Sequence, residues 1–258
     1  MLFSPTIAFS KSSFWAVVCK LFFLLFSSSI NSSSVFSLCI FAKKFIKAFD
    51  KDTILTTNTS GLSINAIAKA VLGKARFLGM HWFNPSNLIP LIEIIFNDET
   101  SEENGNAVYQ LSLDLGKKPV FCKKDVPGFI ANRIQFAILR EAMDIVEKGV
   151  ASAEDVDAVM KYGLGFRLAA YGPLEVADFG GLDTFYHISE YLNADLCDKK
   201  VPMKMLEDAF KAGKYGVKTG AGIYEYPGDK AKESVAIRNK KYEDMKKLND
   251  YWEAEYGN

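Results

Sequence analysis

Between Thr53 and Cys122 the apolar positions fall in short runs separated by polar turns, the pattern of strands alternating with helices. Thr53-Ile54-Leu55-Thr56-Thr57-Asn58 is rich in β-branched residues and predicts a strand ending at the turn Thr59-Ser60-Gly61. A short helix from Ser63 to Val71 follows, with Ser63 as its N-cap. Phe77 to Trp82 and Leu91 to Phe96 predict two more strands. Thr100-Ser101-Glu102-Glu103 has the look of a capping box opening a helix that Gly116 closes. Lys118 to Cys122 predicts another strand, so the region is an α/β layer with some parallel pairing.

The period changes after Pro127. Ile130, Ile134, Ile138, Ala142 and Ile145 recur at helical spacing, predicting a helix from Phe129 to Lys148 that Gly149 ends. Ser152-Ala153-Glu154-Asp155 caps another helix through Met160. Leu174 to Ala177, Thr184 to Leu192 and Met203 to Ala212 predict three more. A second, mostly helical domain therefore starts near residue 127. The charged stretch from Asp229 predicts a peripheral helix or a frayed end.

One residue interrupts the apolar strand pattern. Glu93 stands inside Leu91-Ile92-Glu93-Ile94-Ile95, where a carboxylate is expensive to bury without a partner. His81, in Gly79-Met80-His81-Trp82-Phe83-Asn84-Pro85, is the best partner available. On adjacent strands, Glu93 can hold one ring nitrogen and leave the other free to move a proton. Taken alone, a histidine at a strand end is more often structural, and so is the chain's other histidine, His187, beside Phe185 and Tyr186.

Composition narrows the classes. The 258 residues are 49% hydrophobic, enough for one large or two modest domains. Net charge is zero, so no electrostatic footprint for nucleic acid exists. Cys19, Cys39, Cys122 and Cys197 are scattered, which indicates neither a disulfide framework nor a zinc site, and Cys122 and Cys197 read as ordinary thiols. No apolar stretch has the length of a confident membrane span. Residues 1–49 differ from the rest: they contain no Gly, Asp or Glu, yet hold ten of the 20 Phe. Three accounts compete for this segment: a signal-peptide apolar region after Lys11, an organelle transit segment, or a mistranslation from a frameshift or mis-set start. The third is the favoured expectation, and residues 1–40 are kept out of the fold under all three.

Five segments together carry a resemblance. Asn58-Thr59-Ser60, Gly79 to Pro85, Pro127-Gly128-Phe129-Ile130-Ala131-Asn132-Arg133, Gly172-Pro173-Leu174-Glu175 with Gly181-Leu182-Asp183, and Lys218-Thr219-Gly220-Ala221-Gly222-Ile223-Tyr224 occur in order. From about residue 43 to Tyr226 the chain resembles 3-hydroxyacyl-CoA dehydrogenases, bacterial 3-hydroxybutyryl-CoA dehydrogenases most of all. The resemblance implies a Rossmann-like NAD-binding domain followed by an all-α C-terminal domain that makes a homodimer. It implies hydride transfer between the 3-hydroxyl of a short-chain acyl-CoA and NAD. His81 would be the base, Glu93 its orienter, Ser60 a hydrogen-bond partner of the substrate oxygen beside the nicotinamide, and Asn132 a polarising donor. Asn84 and Lys218, with Ser60, match positions that contact the dinucleotide, although Lys218-Thr219-Gly220 reads equally as a simple loop.

The resulting division is 1–40 uninterpretable, 41–126 the C-terminal part of the Rossmann-like domain, 127–226 the helical domain and 227–258 a charged tail. The family pattern is incomplete. A dinucleotide fold needs a glycine-rich turn at a helix N-terminus. This chain has no glycine before Gly61 and no acid before Asp50 to hold the ribose. NAD therefore stands as the implied cofactor with NADP open. Two other readings compete: an inactive remnant acting as a dimerising or acyl-CoA-binding module, and a related gulonate-type hydroxyacid dehydrogenase. The expected compartment is cytoplasmic, with the mitochondrial matrix as the alternative.

Overall fold

A computed structural model describes residues 6–9, 50 and 52–257. The readings of residues 1–40 lie outside these, apart from a strand at Thr6–Phe9 (β1). The chain divides into two compact units, Met1–Arg133 and Ile134–Asn258.

The first unit is built on a five-stranded sheet in the order β1-β2-β3-β4-β5. Its other strands are β2 (Ile54–Thr57), β3 (Phe77–Trp82), β4 (Leu91–Phe96) and β5 (Lys118–Cys122). Pairing is mixed: β1·β2 and β3·β4 are antiparallel, β2·β3 and β4·β5 parallel. Two helices pack on the sheet, α1 (Ile64–Ala68) and α2 (Glu102–Asp114). Both sheet faces are covered, as the largely apolar runs of β3 and β4 require. One face buries Leu55, Phe77 and Ile95 with Ile64 and Ile67 of α1. The other buries Leu78, Met80, Ile92 and Ile94 with Val108 of α2.

The expected strands match closely, and the helix ends shift for local reasons. Ser63 caps α1 through Ala66 N–H at 3.1 Å. The helix stops at Ala68 rather than Val71 because its last amides turn to i−3 carbonyls, Ala70 N–H to Ile67 O and Val71 N–H to Ala68 O. The capping box at α2 is one-sided. Ser101 Oγ accepts from Asn104 N–H, but the Asn104 side chain donates to Ala75 O instead of reaching back.

The second unit is helical. The long helix α3 (Ala131–Glu147) enters it, starting two residues later than the spacing predicts because Gly128 and Phe129 both have positive φ. Then come α4 (Ala153–Val159), a π-turn at Met160–Leu164 and α5 (Gly165–Leu168). Next are α6 (Pro173–Gly180), α7 (Leu182–Leu192) and α8 (Lys204–Lys211). Glu175 fastens the start of α6 by accepting from Gly172 N–H at 2.7 Å. The charged tail forms one continuous 27-residue helix, α9 (Lys230–Tyr256), rather than a frayed end. The buried cluster of this unit is small: Met143, Cys197 and Met203, flanked by Leu139 and Met205. Glu147 supports it by accepting from Met205 N–H at 2.7 Å and from Lys199 at 3.1 Å. Among the described residues no helix is long and apolar enough to cross a membrane.

Candidate active site

His81 and Glu93 are directly opposite each other across the antiparallel β3·β4 pair. Opposite residues point to the same face of a sheet, so the register alone brings the two side chains together. His81 Nδ1 lies 2.8 Å from Glu93 Oε2. A carboxylate beside Nδ1 fixes the proton there and leaves Nε2 as the acceptor. Both groups are buried, His81 at 3% exposure and Glu93 at 0%. Two aromatic rings lie against the imidazole, Phe83 at 4.4 Å and Phe129 at 5.7 Å between centroids.

The second oxygen of Glu93 is also occupied. Oε1 accepts from Ile130 N–H at 2.9 Å and Ala131 N–H at 2.8 Å, the amides at the opening of α3. These donors have no partner within a helix, and a carboxylate at a helix start suits them. Burial pushes the Glu93 carboxyl up. The hydrogen bonds from His81, Ala131 and Ile130 and the imidazole charge outweigh it, and the group is held below the usual carboxylate range.

A loop closes on the pair from β2. Asn58 Oδ1 accepts from Trp82 N–H at 2.9 Å, tying the end of β2 beside His81. Thr59 Oγ1 accepts from Leu62 N–H at 2.9 Å and stiffens the turn. Asn132 Nδ2 donates to Ser60 O at 2.8 Å. The first unit thus gathers His81, Glu93, Ser60 and Asn132 through strand register and hydrogen bonds. Ser60 is exposed, and its bond to Asn132 runs through its backbone carbonyl, leaving its hydroxyl available. Asn84 is exposed after β3, in a segment whose Asn84-Pro85 peptide is cis. Lys218 is exposed in the second unit. His187 is likewise in the second unit, on the surface, 3.0 Å from Glu190. Burial pushes the Cys122 thiol up, in keeping with an unreactive core cysteine.

Sequence reasoning missed Asn58, Phe129 and the two amides on Glu93. Asn58 belongs to the Asn-Thr-Ser motif, so its place was marked. The amides were signalled only by Pro127-Gly128 just before a helix, a turn that exposes the first N–H groups.

Residues 40–126 match the NAD binding domain of 3-hydroxyacyl-CoA dehydrogenase, and residues 128–226 match its C-terminal domain. The chain belongs to the 3-hydroxyacyl-CoA dehydrogenase family. It is 38% identical over 191 residues to the 5-formyl-3-hydroxy-2-methylpyridine 4-carboxylate 5-dehydrogenase of Mesorhizobium japonicum, covering 74% of this chain and 62% of that protein. A crystal structure of an enzyme of that name, an NAD-dependent dismutase, superposes with a TM-score of 0.81 at 34% identity, covering 85% and 70% of the two chains. Identity to a probable 3-hydroxybutyryl-CoA dehydrogenase of Deinococcus radiodurans is 42% over 174 residues, 67% of this chain and 61% of that protein. The (S)-3-hydroxybutyryl-CoA dehydrogenase of Ralstonia eutropha superposes with a TM-score of 0.59 at 35% identity, over 78% and 69%. The chain spans about three-fifths of the length of the curated relatives it matches.

The family's cofactor is NAD, as the matched nucleotide-binding domain states. The residues present fit it in part. The edge formed by the Asn58–Ser60 loop and His81 offers neutral donors and a proton acceptor of the kind a hydride-transfer site needs. The other end does not fit. A doubly wound dinucleotide sheet continues beyond the strand corresponding to β2 with parallel strands, the first of which carries the glycine-rich turn. Here β1 occupies that place antiparallel, and no glycine precedes Gly61.

Proposed function

We propose that this protein is an oxidoreductase of the 3-hydroxyacyl-CoA dehydrogenase type, acting on the 3-hydroxyl of a short-chain acyl-CoA. The observation that carries this reading is the buried His81–Glu93 pair, with Nδ1 held and Nε2 left to exchange a proton. In the oxidation direction the hydroxyl proton passes to His81 Nε2 as the carbonyl forms. Glu93 stabilises the imidazolium that results. NAD would supply the hydride chemistry at the carbinol carbon, as acceptor in oxidation and donor in reduction. Ser60 Oγ hydrogen-bonds the substrate oxygen, and Asn132 polarises the same end without a competing titration. Asn84 joins Ser60 as a proposed dinucleotide contact within the first unit, and Lys218 of the second unit keeps the dinucleotide-contact role that its motif implies.

A homodimer through the helical unit belongs to the same reading. Leu174, Phe179 and Phe210 are exposed there, a surface suited to cover by a second copy. Gel filtration with light scattering tests this, and a monomer at micromolar concentration counts against it. A cytoplasmic site of action is proposed with it, and the mitochondrial matrix is the alternative.

One observation favours a second substrate. The superposition on the pyridine-carboxylate dehydrogenase, at a TM-score of 0.81, is well above the 0.59 for the Ralstonia acyl-CoA enzyme. A planar hydroxyaryl or formylaryl carboxylate is therefore the competing substrate class. NADH oxidation with acetoacetyl-CoA, set against a formylpyridine carboxylate, separates the two. His81→Ala should lower whichever rate is found by about 10²- to 10⁴-fold, and unchanged turnover would remove His81 from its role. Calorimetry with NAD tests the remnant reading: no binding at millimolar NAD favours an acyl-CoA-binding module, and micromolar binding refutes it.

A further inference from the structure

The geometry points to Phe129 as a positioning residue for the His81–Glu93 pair, a role that rests on the proposed function of His81. Phe129 is the described non-glycine residue with positive φ, at 51°. A side chain in this left-handed region is disfavoured and persists only where the surroundings hold it there. It follows Gly128, itself at φ 79°, so two successive residues are left-handed. The ring that holds Phe129 in place is 1% exposed and joins the core of Ile64, Ile67, Phe77 and Ile95.

This one residue serves both partners. Its ring stands edge-on to the His81 imidazole, 5.7 Å away at an interplanar angle of 63°. Phe83 also packs on the imidazole at 4.4 Å, and the Nδ1 bond to Glu93 limits its rotation. Its backbone turn directs the next two amides, Ile130 and Ala131, at Glu93 Oε1. Glu93 is thereby fixed at both oxygens, and Oε2 has one orientation to offer the ring. If Phe129 relaxed to an ordinary helical φ, the two amides would turn away together. Glu93 would then be free to rotate, and His81 with it. A leucine at 129 keeps the apolar volume but loses the ring contact that holds the left-handed turn.

Nuclear magnetic resonance on the untagged, ¹⁵N-labelled full chain tests this, because the chain has only two histidines. In the parent protein, a slowly exchanging Nδ1–H resonance from His81 is expected, with a cross-peak to the Phe129 ring. His187, 74% exposed, provides the fast-exchanging internal control. The amides of Ile130 and Ala131 should be protected from exchange. In Phe129→Leu, the strand amides of β3 and β4 stay protected, the His81 N–H signal broadens away, and protection of Ile130 and Ala131 falls about tenfold or more. An unchanged signal with unchanged protection overturns the proposal. If Phe129→Leu does not fold, the parent spectrum decides: a missing Phe129–His81 cross-peak, or unprotected Ile130 and Ala131 amides, overturns it. None of these readouts needs turnover. Failure of the dehydrogenase reading would appear as absent NADH oxidation with the parent signals intact, a different result from failure here.

Discussion

The two units spend their apolar residues differently. In the first, Ile64, Leu78, Ile92, Ile94 and Ile95 are fully buried on the two faces of one sheet. In the second, three residues form the buried cluster, while Leu174, Phe179, Tyr162, Phe166 and Phe210 stand in solvent. A mixed sheet covered on both sides closes its own core. Short amphipathic helices each leave a stripe that needs another surface. The candidate site belongs to the unit with the larger buried core, where a carboxylate and an imidazole are held together out of solvent.

The sharpest way to break this contrast is to remove one carboxylate from each unit. Glu93→Ala strips a buried acceptor from an imidazole and two amides, and should lower stability by about 3–5 kcal/mol. Glu190→Ala removes an exposed partner of His187 and should change stability by less than about 0.5 kcal/mol. Urea titration of both variants checks the pair; equal effects would erase the distinction between the units.

Packing offers a smaller contrast. A Cβ added at Gly105 would meet the Phe96 ring at 2.2 Å, so Gly105→Ala should cost about 1–3 kcal/mol in the first unit. A Cβ at Gly163 has nothing within 4 Å, and its φ is not left-handed. Gly163→Ala should therefore stabilise by about 0.4–1 kcal/mol through the unfolded chain. Thermal melts of both variants test the opposite signs.

The smallest effects concern pH. Glu93 is held below its ordinary 4.5 in the folded state. Its contribution is fully present above 4.5 and is lost as pH falls through the lower folded value. The Tyr224 phenol, half-buried and donating to Asp157 at 3.0 Å, is pushed up to about 12 by desolvation and that bond. Its contribution is present below pH 10 and is lost between there and about 12. Glu93→Gln should flatten the acid limb, and Tyr224→Phe the alkaline limb, of a stability curve read by circular dichroism.

Much of the first unit was legible because period and chemistry agreed. The ranges of β3, β4 and β5 follow from their apolar runs. The His81–Glu93 contact follows from one misplaced charge that could be buried only with a partner. Helix ends were harder, since backbone geometry decided them: α1 closes on i−3 carbonyls and α3 starts only after two residues of positive φ. The left-handed Phe129 was invisible, because nothing in a phenylalanine marks a positive φ. Proline and glycine just before it announced a turn without its geometry. The partner of β2 was also not readable, for the family pattern calls for a parallel strand and β1 runs the other way.

The π-turn at Met160–Leu164 joins α4 to α5 by holding one residue more than an α-turn would. Each helical residue turns the chain by about 100°. Deleting a single residue there would let the segment close into a regular helix and swing everything after it by about that angle. Phe166 and Arg167, which line a cleft of about 420 Å³ with Tyr171 and Phe179, would then face elsewhere. The bulge thus acts as an indexing notch: it sets which way the following aromatic side chains look, and a one-codon loss would reset it without breaking the rod.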